Sequence, residues 1–379
     1  MNASLNEKLR AVKWGEFKYK EVFNRIEQGR RLKKDDQIDG TIPFVMSGTT
    51  NAGVVNYISN PVASFPKNAI TIDIFGNTFY RNYAFGAGDD TGVYWNDATA
   101  YSSNAMLFFA VAMQKSMMGR FSYGKKLRSS QSEDFTMHLP VTDDGAIDFD
   151  FMESFIAELE AERVAELSAY LTVSGLDNYE LSEQELKALA ELKNVTWGKY
   201  KMGDLFEKVK TKKLPYKAKE LPTEATGKYT LPCLTSSFKN QGLNYFAPVQ
   251  GATVLKSVIT IPQNSDVYRA YYQSSDFTVL SDAYAIDWKF DKRTLSREQY
   301  LFMVMCINKV TDLPIYSYKN KLGGWNVVKD KYILLPQVNG EIDFNYMEDF
   351  ISAMQKLAIK DVVSFTDRKI AGTKEVIAK

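Results

Sequence analysis

The passage LPVTDDGAIDFDFMESFI at residues 139–156 returns, with small changes, as LPQVNGEIDFNYMEDFI at residues 335–351. Three earlier passages are repeated in the same order: WGEFKYKEVF at 14–23 with WGKYKMGDLF at 197–206, TIPFVMSGTTNAG at 41–53 with TLPCLTSSFKNQG at 230–242, and FSYGKKL at 121–127 with YSYKNKL at 316–322. The offset between copies drifts from 183 to 196 residues, so the loops differ in length while the framework is kept. The period is far too long for a solenoid repeat. The chain therefore uses one architecture twice, a globular part followed by a helix.

The decisive passage also predicts where each copy enters its helix. Asp150 and Asn345 each stand three residues before a glutamate, Glu153 or Glu348, a spacing typical of an N-cap with a capping-box partner. Apolar residues then recur at helical spacing. They are Met152, Ile156, Leu159, Leu167 and Leu171 in the first copy and Phe350, Met354, Leu357, Val362 and Phe365 in the second, which runs towards Ala371-Gly372. Because such a stripe must be buried, we expect the two helices to pack against each other.

A second, short helix is predicted after the first long one. Ser174-Gly175 is a helix stop signal, and Ser182 with Glu185 indicates a new helix that continues to about Lys193. Residues 150–172 alone would span about 35 Å at about 1.5 Å per residue.

The globular parts read as strands and turns with one buried helix each. The runs at 69–75 and 258–261 are rich in β-branched residues, whereas those at 106–111 and 300–305 are typical of buried helices. We therefore expect an α+β fold class with two tandem domains and long helices between them. The predicted boundaries are a first domain at 1–146, a central helical spacer at 147–194, a second domain at 195–341 and a C-terminal spacer helix at 342–379.

The formal charge of +1 conceals an uneven distribution. Residues 147–191 carry 12 acidic and 2 basic side chains, whereas residues 192–342 carry 22 basic and 13 acidic ones, a difference of +9. A basic globular segment beside an acidic helical one is typical of a nucleic-acid surface on a separate scaffold. Ordinary solubilising charge would produce the same pattern.

Several kinds of site are excluded by residue usage. Two cysteines, Cys233 and Cys306, cannot form a disulfide framework or a zinc site with CxxC spacing, and the single His138 excludes sites that need two imidazoles. No stretch is long and apolar enough to predict a membrane span or a signal peptide. We expect a soluble cytoplasmic protein without a bound metal.

Catalytic motifs are also missing from the sequence. An N6-adenine methyltransferase would carry a [DNS]-P-P-[YFW] motif for the flipped base, and an NTPase a GxxxxGK[ST] loop; neither is present. Phe85-Gly86-Ala87-Gly88-Asp89 is a lone glycine motif among turn residues, and its counterpart near 274–277 lacks the glycines. We expect no catalytic centre and no bound cofactor.

The order of the repeated motifs resembles a known family, the specificity subunits of type I restriction–modification enzymes and of the related type IIB systems. The resemblance lies in W-G-x-[FY]-x-x-x-[ED]-[VL]-F at the start of each half, in residues 29–37 before Ile42-Pro43-Phe44, and in the L-P…I-D-F…M-E-x-F-I passage that enters each helix. It covers essentially the whole chain in two copies. The short central helix, interrupted at Gly175, looks closer to the type IIB-like members.

The resemblance implies two target-recognition domains held apart by an antiparallel, pseudo-two-fold pair of helices. It implies that each domain reads one half of a split sequence on double-stranded DNA, while the helices set the gap and dock N6-adenine methyltransferase subunits or a fused methyltransferase–nuclease. S-adenosylmethionine and magnesium would then belong to these partners, in the bacterial cytoplasm.

Basic clusters beside polar turns are the expected phosphate contacts, and short amides and hydroxyls in matching loops are the expected base contacts. The phosphate set is Arg30, Arg31, Lys33, Lys34, Lys125, Lys126 and Arg128 in the first half and Lys210, Lys212, Lys213, Lys217, Lys219, Lys319 and Lys321 in the second. The base set is Ser47, Thr49, Thr50 and Asn51, then Ser236, Ser237, Asn240 and Gln241, together with Arg81 and Arg269, which both follow a tyrosine. The alternatives are solvated lysines, ordinary turns and structural arginines.

Two other functions remain open from the sequence. The chain could be a stand-alone DNA methyltransferase or nuclease with degenerate motifs. It could also be a phage or host decoy that binds methyltransferase subunits without reading DNA.

Overall fold

The computed structural model describes residues 3–61, 64–280 and 282–377. The chain divides into two compact units, the first formed by residues 1–170 with 366–379 and the second by residues 171–365. Both units contain helices and strands, so the predicted α+β character is confirmed for each of them.

The first unit contains a helix that packs over a central antiparallel sheet. Its helices are α1 (Ala3–Ala11), α2 (Tyr19–Val22), α3 (Ser103–Met117) and α4 (Phe149–Val173), the last of which runs past the unit boundary. Its strands are β1 (Lys13–Lys18), β2 (Arg25–Gln28), β3 (Asp39–Val45), β4 (Val54–Ile58), β5 (Ser64–Phe65), β6 (Ala69–Asp73), β7 (Thr78–Arg81), β8 (Phe85–Ala87), β9 (Thr91–Trp95) and β10 (Thr136–Val141).

These strands form three small sheets. The central one has the order β2-β9-β6-β7, a second has the order β4-β3-β8-β5, and β1 pairs with β10. Strand β6 is buried along its whole length, which explains the continuous apolar run that predicted it. Its residues Ile70 and Ile72 pack with Tyr94 of β9 and with Phe109 and Met113 of α3.

The second unit repeats this plan. Its helices are α5 (Glu183–Glu191), α6 (Met202–Leu205), α7 (Arg297–Thr311), α8 (Trp325–Val328) and α9 (Phe344–Ile377), the last of which continues into the first unit. Its strands are β11 (Trp197–Lys201), β12 (Phe206–Lys208), β13 (Tyr229–Leu234), β14 (Leu243–Pro248), β15 (Val258–Pro262), β16 (Tyr271–Gln273), β17 (Thr278–Val279), β18 (Ala283–Trp288), β19 (Tyr332–Val338) and β20 (Glu341–Ile342).

The sheet orders of the two units correspond strand by strand. The order β12-β18-β15-β16 matches β2-β9-β6-β7, and β14-β13-β17 matches β4-β3-β8. One strand pair of this second sheet is parallel in each unit: β3 with β8 in the first and β13 with β17 in the second. The sequence repeat is therefore a repeat of topology as well.

The predicted helix caps are wrong by two residues. The carboxylate of Asp148, rather than that of Asp150, accepts a hydrogen bond of 2.8 Å from the Phe151 amide at the start of α4. Asp343, rather than Asn345, accepts one of 2.9 Å from the Tyr346 amide at the start of α9. The aspartate of each I-D-F passage therefore stands directly before the first helical residue, Phe149 or Phe344, and caps the helix.

The repeated glutamates of the M-E-x-F passages bind a neighbouring helix end instead of their own. Glu153 accepts hydrogen bonds from Ser102, the N-cap of α3, and from Asn104 at 2.9 Å. Glu348 accepts equivalent bonds from Ser296 at 3.3 Å and from Gln299 at 3.0 Å at the start of α7. Each glutamate thus fixes the long helix of its copy to the buried helix of the same domain.

The short helix α5 is confirmed with its capping box of Ser182 and Glu185, and it ends at Glu191. Burial alone would raise the pKa of the Glu185 carboxyl, but hydrogen bonds from Ser352, the Ser182 amide and Lys356 hold that pKa below its usual value. The Lys356 ammonium lies 2.9 Å from the carboxylate, so an ion pair joins α5 to α9 within the second unit. In the first unit, Lys369 of α9 pairs with Glu160 of α4 at 2.7 Å.

Trp14 and Trp197, which open the first repeated passage of each copy, are 43% and 39% exposed and stack on Phe108 and Phe302 respectively. Helix α9 continues past Ala371-Gly372 to Ile377. Cys233 and Cys306 are buried.

Among the described residues, no helix combines the length and the apolar character that a membrane span requires.

The cap assignment is testable by comparing two neighbouring positions. We expect Asp343→Ala to lower the free energy of unfolding by about 0.5–2 kcal/mol, because the Tyr346 amide loses its acceptor. Asn345→Ala, at an exposed position in the same turn, should change it by less than about 0.5 kcal/mol. Chemical denaturation followed by circular dichroism measures both; equal effects would contradict the assignment.

Candidate nucleic-acid interface

Two loops occupy the same position in the two units and share a rare backbone conformation. Loop 46–53 joins β3 to β4, and loop 235–242 joins β13 to β14. Asn51 and Ala52 have φ of 48° and 49°, and Asn240 and Gln241 have φ of 47° and 54°. Two successive left-handed residues other than glycine are unusual. Their repetition in both units indicates that this loop shape is a required feature of the domain.

Each loop is closed in the same way. The Met46 amide donates to the Gly53 carbonyl at 2.9 Å, and the Thr235 amide donates to the Gly242 carbonyl at 2.9 Å. The side-chain amides of Asn51 and Asn240 turn back to the carbonyls of Val54 and Leu243, at 3.4 and 2.5 Å. These asparagines, which we predicted as base contacts, thus satisfy the local backbone, a role that suits left-handed asparagine.

A buried arginine supports the first loop from below. Arg81 is 1% exposed and donates from Nη2 to the Ala52 carbonyl at 2.6 Å, from Nε to Thr71 Oγ1 at 3.1 Å and from Nη1 to the Tyr83 hydroxyl at 3.1 Å. Burial lowers the pKa of its guanidinium, which the hydrogen bond with Tyr83 partly offsets. We had expected Arg81 to contact a base, and its position beneath the loop gives it a supporting role instead.

A buried carboxylate holds the other end of the same loop. Asp73, 4% exposed at the end of β6, accepts hydrogen bonds from the Gly48 amide at 3.0 Å and the Ser47 hydroxyl at 3.2 Å. The Ser47 amide donates to Asp90 at 3.0 Å. Ser47 is therefore engaged by its neighbours, whereas Thr49 and Thr50 are exposed.

In the second unit, a glutamine takes the place of Arg81. Arg81 pairs with Ala69 across β6 and β7, and Gln273 pairs with Val258 across β15 and β16. Gln273, 3% exposed, donates from Nε2 to the Gln241 carbonyl at 3.2 Å and to Thr260 Oγ1 at 3.1 Å. Arg269, which also follows a tyrosine, is not the structural equivalent of Arg81, because it lies before β16 and pairs with Asp312 at 2.7 Å.

The basic connector of the first unit runs beside its loop. The Arg30 amide donates to the Ala87 carbonyl at 2.9 Å, and the amide of Gly88, directly after β8, donates to the Val45 carbonyl at 2.9 Å where β3 enters the loop. The side chains predicted to contact phosphate here are exposed. In the described part of the chain, none of Arg30, Arg31, Lys33 and Lys34 forms an ion pair with a carboxylate.

The basic connector of the second unit forms a cleft with its loop. Leu214 and Leu221 anchor the connector to Cys233 and Ala247 of the sheet, and its lysines are exposed; they are Lys210, Lys212, Lys213, Lys217 and Lys219. A cleft of about 540 Å³ brings together Lys217, Ser236, Ser237 and Lys239 with Tyr216, Asn244, Tyr245 and Asp282. Residues 206–256 carry 9 basic and 3 acidic side chains, a difference of +6. This surface can attract a polyanion.

A third repeated feature is a lysine-containing turn that binds the segment after a central strand in each unit. The Leu127 amide donates to the Ile74 carbonyl just after β6 at 2.9 Å, which places the turn of Lys125 and Lys126 there. The Tyr318 amide donates to Asp266 after β15 at 2.9 Å, which places Lys319 and Lys321 likewise. Each lysine turn is thus bound to the segment that follows β6 or β15.

The sequence reasoning missed two aromatic residues in these turns. Tyr123 is 83% exposed and carries Lys126 over its ring at 4.8 Å; Tyr318 is 61% exposed and carries Lys321 at 4.7 Å. It also missed the exposed Phe238 and Lys239 in loop 235–242. The sequence repeat does contain a signal for these tyrosines, because FSYGKKL and YSYKNKL both have a tyrosine in third place and a lysine in sixth place.

Within the described residues, no group of three or more histidine, cysteine, aspartate or glutamate side chains is arranged to hold a metal ion.

The strain in the loop can be tested at its glycine. Gly242 has φ of +88°, and a Cβ there would lie 2.7 Å from Leu234 Cδ1 and 3.0 Å from the Thr235 carbonyl oxygen. Gly251 has φ of +84° but no atom within 4 Å of such a Cβ. We expect Gly242→Ala to destabilise the second unit by about 1 kcal/mol more than Gly251→Ala, since only the former adds steric overlap. Comparable unfolding midpoints for both variants would refute the packed-loop geometry.

Three similarities to known proteins agree with this architecture. Residues 11–169, which include loop 46–53, match the family described as "Type I restriction modification DNA specificity domain". The relative named "Type II restriction enzyme BgcI specificity subunit S.BcgI", from Heyndrickxia coagulans, is 28% identical over 155 residues. This match covers 40% of the chain and 45% of the relative, so it spans less than half of that protein.

The third similarity is to a solved structure and concerns the fold. The S subunit of a type I restriction–modification system from M. genitalium superposes with a TM-score of 0.54 at 13% identity, over 97% of this chain and 94% of that one. The predicted fold class, with two tandem domains, is confirmed by this match. The resemblance found in the sequence is confirmed as well: residues 11–169 match the type I restriction modification DNA specificity domain, and the chain is similar to the specificity subunits of restriction–modification systems.

Proposed function

We propose that this chain is the sequence-reading subunit of a restriction–modification complex, in which each unit recognises one half of a bipartite site on double-stranded DNA. It would carry no catalytic centre of its own. S-adenosylmethionine and magnesium would be bound by its partners, N6-adenine methyltransferase subunits or a fused methyltransferase–nuclease.

The observation that carries the proposal is the repeated surface at the end of β6 and β15. In each unit a loop of rare backbone shape lies beside a connector with several exposed basic side chains and a tyrosine–lysine turn. Lysine and arginine side chains free of carboxylates can replace the counterions of the DNA backbone. Exposed hydroxyls, amides and ammonium groups in the loop supply the donors and acceptors that base edges require.

The residues predicted from the sequence differ in exposure and in existing partners, and therefore in how well they suit a contact with DNA. The exposed Thr49, Thr50 and Gln241 remain proposed base contacts, together with Ser236 and Ser237 in the cleft. Arg81 supports the loop from inside, and the charge of Arg269 is already paired with Asp312. The lysine connectors are therefore the proposed phosphate contacts, and Arg81 and Arg269 are not proposed as base contacts.

The long helices α4 and α9 would set the gap between the half-sites and dock the partner subunits. Helix α4 has 25 residues, a length of about 37 Å at about 1.5 Å per residue. One turn of B-DNA is about 34–36 Å, so half-sites about one turn apart would match its length.

The proposal predicts the outcome of selection from a random duplex library. The full-length chain, co-purified with its methyltransferase partner, should enrich a split motif with a fixed unspecified gap, because two units read separately. Sequencing after several rounds measures this. A single continuous motif would leave only one reading unit. Tight partner binding without any enrichment would favour the decoy function instead.

A second prediction concerns the phosphate contacts. Replacing Lys212 and Lys213 by glutamine should weaken binding to all sequences alike and reduce the slope of log K against log salt by about two, since about one counterion is released per contact. The matched control is Lys289→Gln with Lys292→Gln, an equal change of charge at exposed positions between β18 and α7. Fluorescence anisotropy across a salt series measures the slope. Equal slopes for both double variants would mean that net charge alone governs binding.

A further inference from the structure

The two loops are held by backbone contacts that do not involve the side chains at their tips. Arg81 binds the carbonyl of Ala52, and Gln273 binds the carbonyl of Gln241, at equivalent positions in the two loops. Each support also binds a threonine hydroxyl on the neighbouring strand, Thr71 or Thr260. The supports differ in charge and length, yet the φ values of the supported residues agree within a few degrees.

A second anchor in each loop also acts on the main chain. In the first unit, Asp73 accepts from the Gly48 amide at 3.0 Å. In the second unit, the register places Pro262 where Asp73 stands, and the Tyr271 hydroxyl donates to the Phe238 carbonyl at 3.2 Å instead. Both loops are therefore fixed at two points through main-chain atoms, without the use of the tip side chains.

The tips themselves have diverged. Counting from the shared closing glycine, Thr49 and Thr50 occupy the places of Phe238 and Lys239. All four are exposed, and Phe238 is 50% exposed although it is a large apolar residue. Threonine offers a methyl group and a hydroxyl, phenylalanine suits a thymine methyl, and lysine donates to guanine O6 and N7. The two tips thus present different chemistry on one backbone shape.

We infer that Arg81 and Gln273 are positioning residues that hold one common loop shape, and that Thr49, Thr50, Phe238 and Lys239 are the positions that determine which bases each unit selects. The inference rests on the proposed function, because it assigns specificity within the DNA surface proposed above. It implies that the tip pair is a transferable element, since its backbone is fixed by residues outside it.

The direct experiment exchanges the tip pair. Thr49→Phe with Thr50→Lys is made in the full-length chain co-purified with its methyltransferase partner, and selection from random duplexes is repeated. We expect the half-site read by the first unit to change while the other half-site and the gap stay the same. All substituted side chains are exposed, so the variant should fold and unfold like the wild type. A selected motif identical to that of the wild type, with unchanged affinity, would overturn the inference.

The positioning role is tested by Arg81→Met and Arg81→Gln. Methionine cannot donate to the Ala52 carbonyl, so the affinity for the selected site relative to random duplex should fall about tenfold or more, a loss comparable to that of one specific base contact. Glutamine, the residue at the equivalent position of the second unit, should restore most of this ratio. A merely structural arginine would instead lower specific and non-specific affinity together, with the loss of folded protein, and glutamine would bring no selective recovery.

The experiments can disprove the proposed function and the inference about the loop tips separately. If the wild-type complex enriches no motif at all, the proposed function fails. If the wild type enriches a split motif and the tip exchange leaves it unchanged, only the inference about the tip fails. If Arg81→Met binds its selected site as selectively as the wild type, the positioning role of Arg81 is excluded while the reading function stands.

Discussion

The proposed DNA-binding surface of each unit depends on a strained turn that must be held from inside the domain. A left-handed conformation costs an ordinary L-residue about 1–2 kcal/mol, and each loop contains two such residues in succession. Asparagine tolerates the left-handed conformation, but the side chains of Ala52 and Gln241 do not offset its cost. A hydrogen bond between a charged donor and a carbonyl contributes about 1.5–3 kcal/mol. The contact of Arg81 with Ala52 is therefore of the right size to offset the strain.

This constraint explains which parts of the repeat are shared and which differ. The shared parts close the loop: the amides of Met46 and Thr235, the glycines at 53 and 242, and a polar side chain beneath. The supports have diverged from arginine to glutamine, and the other anchor from Asp73 to Tyr271. Geometry is preserved while chemistry changes, as expected for a scaffold that presents different side chains to different sequences.

The sequence predicted much of this fold because its strongest signals are local. The central strands and the capping box of Ser182 follow from neighbouring residues, and the repeat itself revealed the tandem domains. The equivalence of Arg81 with Gln273 could not be predicted, since it depends on the register between β6 and β7, which pairs residues far apart in sequence. The same holds for the half-exposed tryptophans, whose burial depends on how far α3 and α7 cover them.

In the proposed function, the charge distribution would limit how DNA can approach a unit. Helix α4 lies in the segment with 12 acidic and 2 basic residues, which would repel phosphate within the Debye length of about 8 Å at physiological salt. The lysine connectors lie beside the loops, so attraction and readout would share one surface. Phosphate contacts alone would fix the register of the duplex without reading it. In the proposed function, a loop already held by Arg81 or Gln273 would need little ordering when DNA binds, and the difference between a right and a wrong base would fall on the tip side chains.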